Sequence, residues 1–108
     1  GVNEYRNSFF ETDKQDLYSL RKELYKLKFS NWKLTITDLG NLPNGNTVDD
    51  TYHALYEICK ELLSKKIIII IIGGSNDIIY PIFKSFDSYN NKVNIVSIDN
   101  QFDLYQES

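Results

Sequence analysis

The sequence predicts an α/β fold built on a parallel sheet, and three observations predict it. Residues 67–72 are six consecutive isoleucines closed by Gly73-Gly74. Two further β-prone stretches, 34–37 and 93–98, each run into an aspartate, Asp38 and Asp99. Segments with helical spacing precede each of the three, so the order is helix, strand, helix, strand, helix, strand. That alternation makes neighbouring strands parallel, joined by right-handed crossovers.

The opening residues, Gly1-Val2, read as the tail of a strand whose beginning is missing, so the chain looks cut. Thr12 can cap the first helix, with Gln15 in the capping-box position. Leu17, Leu20, Leu24 and Leu27 follow helical spacing, against a polar face of Asp16, Arg21, Glu23 and Lys26. A helix is expected over 13–28. The aromatic residues Tyr25, Phe29 and Trp32 are expected to pack its end against the sheet rather than form a binding patch.

Residues 34–37 form the first strand. The stretch 39–46 is dense in Gly, Asn and Pro and reads as a loop. Thr47 can cap a second helix, with Asp50 in the box position. Val48, Tyr52, Leu55, Cys59 and Leu62 share one face, widened by Ile58 and Leu63, and the helix is expected to reach Ser64. The isoleucine run that follows does not alternate. A strand apolar on both faces belongs inside a parallel sheet covered by helices. After Gly73-Gly74, Ser75 or Asn76 can cap a third helix that buries Ile78, Ile79, Ile82, Phe83 and Phe86. Pro81 falls in its first turn or so, where a missing N–H costs little. Asn90-Asn91 makes a turn into the last strand.

Composition narrows function. The 108 residues are 42% hydrophobic and 25% charged, ordinary for one folded domain. A net charge of −3 makes nucleic acid a poor partner. The single cysteine, Cys59, excludes an intrachain disulfide and a cysteine zinc site. It reads as a buried small hydrophobe, and a cytoplasmic location is expected. The isoleucine run is far shorter than the roughly 20 residues of a membrane span. The one histidine, His53, falls within the second helix and is expected on its surface, so no Ser-His-Asp or Cys-His constellation is available.

In parallel α/β sheets ligands sit outside the carboxyl ends of strands. Three loops leave those ends: 38–46, 73–77 and 99–103, each with a carboxylate. The 73–77 loop is neither GxGxxG nor a Walker sequence, so a plain strand-to-helix turn is preferred over phosphate binding. Asp99 and Asp103, four apart, can fold onto one hard cation, although on spacing alone such aspartates are more often turn and capping residues. Tyr5-Arg6 is expected to be an exposed loop pair.

The two glycine- and aspartate-containing loops resemble those of the ureohydrolases, the arginase, agmatinase and formimidoylglutamase family. One family motif is Gly-Gly-Asp-His, and here it reads Gly73-Gly74-Ser75-Asn76. The next is Asp-Ala-His-x-Asp, and here it reads Asp99-Asn100-Gln101-Phe102-Asp103. Residues 1–6, 21–27, 38–41 and 47–55 are similar to the formimidoylglutamase-like branch. The resemblance implies a three-layer αβα, arginase-like fold, of which 1–108 would be the N-terminal part. It implies hydrolysis of a linear amidine C–N bond at a dinuclear manganese site in the parent protein, with a small-molecule substrate.

Asp99 and Asp103 would be metal ligands. Asn76 and Gln101 stand where the family has metal-binding histidines, so tight metal binding and catalysis by this chain alone are not expected. Two other functions compete. One is a non-catalytic ligand- or partner-binding module, and the other a small flavodoxin-like domain. Exposed sheet edges are expected to drive self-association.

Overall fold

The computed structural model describes residues 1–8, 16–28, 33–88 and 92–99. The described residues contain three α-helices: α1 (Leu17–Leu24), α2 (Val48–Ser64) and α3 (Ile79–Asp87), the last entered through a 3₁₀ turn, Asn76–Ile78. Among the described residues no helix is long and apolar enough to cross a membrane.

The main correction concerns the sheet. The described residues contain no β-strand, only an isolated parallel bridge between Val2 and Leu42. The expected parallel-sheet αβα architecture is therefore not what this chain forms. Residues 34–37, 67–72 and 93–98 are present without a ladder. A few bonds hold extended backbone together instead: Val2 N–H donates to the Ile72 carbonyl (2.9 Å), and Leu42 N–H to the Gly1 carbonyl (2.8 Å).

The physical reason lies in burial. The isoleucine run alternates after all, with Ile69 and Ile71 packed on the core while Ile68 is 91% and Ile70 77% exposed. Only one flank has helices over it. Leu34, Ile36, Ile95, Val96 and Ile98 are exposed as well, the last at 99%. A central parallel strand needs cover on both faces and a partner on both sides, and these segments have neither.

Helix α2 forms where expected and ends where expected. The Thr47 hydroxyl accepts from Asp50 N–H (3.1 Å), and Asp50 accepts from Thr47 N–H (2.8 Å). This reciprocal box satisfies two otherwise orphaned donors. Helix α1 is shorter than 13–28. Asp16 caps it by accepting from Tyr18 and Ser19 N–H, and Tyr25 closes it. The expected cap at Thr12 and Gln15, and the aromatics Phe29 and Trp32, lie outside the described residues.

The core is the seam of α2 and α3 with the first residues of the chain. Val2, Leu55, Cys59 (1% exposed) and Ile78 form it, and Leu42, Ile69, Ile71 and Ile82 pack against it. Cys59 is thus the buried hydrophobe expected of it. Helix α3 presents part of the expected face: Ile78 is buried, Ile82 packs on the core and Phe86 is half-buried. Ile79 and Phe83 are exposed instead, and Pro81 and Ser85 are buried.

Candidate functional site

Residues 1–7, the 38–46 loop and the 73–77 loop are tied together by hydrogen bonds, starting with the glycine pair. Gly73 has φ +92°, and a Cβ there would lie 2.4 Å from the Val2 carbonyl oxygen. Only glycine allows that conformation and that approach. The close approach brings residues 4–7 against the 73–77 loop. Ser75 N–H donates to the Glu4 carbonyl (2.9 Å), and Gly74 N–H donates to the Tyr5 hydroxyl (3.0 Å).

Glu4 and Arg6 form the strongest polar contact. The Glu4 side chain is fully buried. Arg6 Nε donates to Glu4 Oε1 at 2.9 Å and Nη2 donates to Oε2 at 2.5 Å, a two-pronged contact. The same guanidinium donates to the carbonyls of Asn46 and Thr47 and to Thr51 Oγ1. Arg6 thereby clamps the start of α2. Its hydrogen bonds lower the Glu4 carboxyl to about 2, although burial pulls the other way. The expectation that Tyr5-Arg6 is an exposed loop pair fails for Tyr5, which is buried, and holds for Arg6, which is exposed but anchors the fold.

The 73–77 loop itself is organised around Asp77. Its carboxylate accepts from the hydroxyls of Tyr52 and Ser75, and Asn7 Nδ2 donates to Tyr52 Oη (3.2 Å). Burial, and then the bond to Asp77, raise the Tyr52 phenol to about 12. At the 38–46 loop, Asp38 accepts from Arg21 Nε (2.6 Å), from the Tyr25 hydroxyl and from Gly40 N–H (2.8 Å). These donors, Arg21 first, hold the Asp38 carboxyl far below the usual carboxylate range. Helix α1 is tied by this contact to the loop that sequence placed at a strand end.

The candidate ligand positions fare differently. Asn76 opens the 3₁₀ turn and is exposed, and Asp99 is exposed at the end of 92–99. Gln101 and Asp103 lie outside the described residues. His53 is exposed on α2. Among the described residues no three His, Cys, Asp or Glu side chains converge in a way that could hold a metal ion.

The donor chemistry around Asn76 does not fit the dinuclear manganese centre that the resemblance implies. An amide oxygen is neutral and a weaker ligand than imidazole for a transition metal. The adjacent carboxylate, Asp77, is already committed to two hydroxyl donors. No reaction step through such a metal follows from these residues.

Sequence reasoning marked the 73–77 loop but missed Glu4, Arg6, Thr51 and Tyr52 as the groups that hold it. Apart from the Glu4–Arg6 pair, their contacts join positions 25 and more residues apart, which local spacing does not reveal. No curated protein and no solved structure matches the chain. The sequence profile of the arginase family does match, over residues 11–108. That match covers nearly the whole chain, and the chain belongs to the arginase family.

Proposed function

We propose that this chain is the N-terminal part of a formimidoylglutamase-like ureohydrolase whose metal-ligand positions have been substituted, and that by itself it does not hydrolyse amidines. Membership of the arginase family supports the ancestry. One observation carries the loss of chemistry: Asn76 occupies a family histidine position, and the neighbouring Asp77 carboxylate is spent on Tyr52 and Ser75. Metal-dependent hydrolysis needs an ion held in a fixed shell, so that its bound water becomes a nucleophile near neutral pH. Amides at Asn76 and Gln101 are poor members of such a shell.

The test is direct. The purified chain is assayed with manganese against linear amidines and guanidines, and release of urea, formamide and ammonia is followed. No release above the uncatalysed rate is expected. Manganese-dependent turnover abolished by Asp99→Ala and Asp103→Ala would refute the proposal and place both aspartates in a working site.

The apolar flank favours a partner of defined kind. Ile68, Ile70, Val96 and Ile98 are uncovered, and a run of six identical residues has no register of its own to protect it. Such a segment is self-complementary in β pairing, so we propose that copies of the chain associate through it.

A further inference from the structure

We infer that Tyr52, Ser75 and Asp77 form a metal-free clasp, which fixes the 73–77 loop to α2 and to residues 4–7 where a family enzyme would organise the same loop around its ions. The inference rests on the reading that this loop no longer holds metal, and it says what holds the loop instead.

The proton inventory supports the clasp. Asp77 offers two carboxylate oxygens, and each receives a hydroxyl, Oδ2 from Tyr52 and Oδ1 from Ser75. The Ser75 hydroxyl also lies 3.2 Å from the Glu4 carbonyl, but it has one proton to donate. The charged acceptor takes it, because hydrogen bonds to an ionised group are the stronger ones. Ser75 N–H already satisfies the Glu4 carbonyl.

Tyr52, in turn, accepts from Asn7 while it donates to Asp77. Asn7 donates to Tyr52 and Tyr52 to Asp77, while Ser75 donates to Asp77 from the other side, so both arms end on the carboxylate without a conflict. The network joins α2, the 4–8 turn and the glycine loop. Ser75 is buried, so losing Asp77 would leave its hydroxyl only the longer contact to the neutral Glu4 carbonyl.

A cation approaching Asp77 would have to displace both hydroxyl donors, and the donor within one residue of it is the Asn76 amide. Tyr52 is thus a positioning residue: it acts through Asp77 on the loop. Its phenol is raised to about 12 by burial and by Asp77, which keeps it a donor at any physiological pH.

The test is a double-mutant cycle on the whole chain. Tyr52→Phe, Asp77→Asn and the double variant are unfolded in urea at neutral pH, with and without manganese. Each single change is expected to lower the folded-to-unfolded ratio about tenfold. The double variant is expected to fall no further than the worse single one, and manganese is expected to change none of the four midpoints. Additive losses in the cycle would overturn the clasp, as would a manganese-induced rise in the wild-type midpoint.

A second readout keeps the inference testable if a variant fails to fold. Phenolate absorbance is titrated in the Tyr25→Phe background, because Tyr25 also bonds a carboxylate, Asp38. One tyrosine still protonated above about pH 11 supports the clasp, and uniform titration near pH 10 overturns it. Hydrolysis of an amidine would sink the proposed function. An additive cycle in a chain without hydrolysis would sink the clasp alone.

Discussion

Glu4→Gln is the most informative single substitution, because it changes charge and one donor while keeping shape. The Glu4 side chain is fully buried, and both its oxygens face Arg6. Glutamine turns one of those oxygens into an NH₂ that meets the guanidinium donor to donor. Arg6 would keep its bonds to Asn46, Thr47 and Thr51, so the clamp loosens rather than vanishes.

Removing one partner of a buried pair costs about 3–5 kcal/mol. Arg6 is 38% exposed, and water can partly solvate it, which brings the expected loss to about 2–3 kcal/mol. In a domain of this size each kcal/mol moves the unfolding midpoint by about 4–8 °C. A drop of about 10–20 °C is therefore expected in a thermal melt followed by circular dichroism.

The pH dependence gives an independent check. The Glu4 carboxyl is lowered from an ordinary 4.5 to about 2 in the folded chain. A lowered carboxyl binds fewer protons folded than unfolded, so its stabilisation is complete above pH 4.5 and is lost as pH falls towards about 2. That fall corresponds to about 3 kcal/mol, reduced to about 2 kcal/mol by solvent around Arg6. Wild type should lose this increment between those pH values, and Glu4→Gln should not. A Glu4→Gln midpoint within about 0.5 kcal/mol of wild type, with a parallel acid profile, would refute the clamp.

Other substitutions probe the rest of the fold. Thr47→Ala removes the box at the start of α2 and should cost about 1 kcal/mol in urea unfolding, whereas a neutral result would mean the Arg6 contacts alone hold that end. Gly73→Ala meets the Val2 carbonyl at a positive φ, so a loss of at least about 2 kcal/mol is expected, and a stabilised variant would contradict the close approach. Leu55→Ala opens the centre of the core and should cost about 2–5 kcal/mol by the same assay, a cost under 1 kcal/mol being incompatible with its burial. Ile68→Lys with Ile70→Lys places charge on the uncovered flank. Light scattering should show smaller species than wild type, and a wild type that is monomeric at high concentration would remove the association proposal.

Helix α2 was legible because its signals are local. A capping box at Thr47 and Asp50 and a continuous apolar face lie within one stretch. The burial of Cys59 followed from the same face. The sheet was misread because six identical isoleucines carry no alternation. Such a run cannot say which of its faces is bare, and Ile68 and Ile70 turn out to face outward.

The face of α3 was legible in part. Apolar size was the guide, and it held for Ile78 and Ile82 but not for Ile79 and Phe83, while the buried positions include Pro81 and Ser85. At the candidate site, the glycine loop could be read from the sequence, and the proposed substitutions at Asn76 and Gln101 rest on motif order alone. The groups that hold the loop could not. Glu4 pairs with a neighbour two residues away, but its burial depends on α2, and Tyr52 meets Asp77 across twenty-five positions.

The measurement closest to the central claim is calorimetric titration of the chain with manganese, run beside the amidine hydrolysis assay. The account predicts no tight, stoichiometric binding and no manganese-dependent release of urea, formamide or ammonia. It further predicts that Asn76→His with Gln101→His strengthens manganese binding over wild type. Tight binding and turnover by the wild-type chain, with its amides in place, would contradict it.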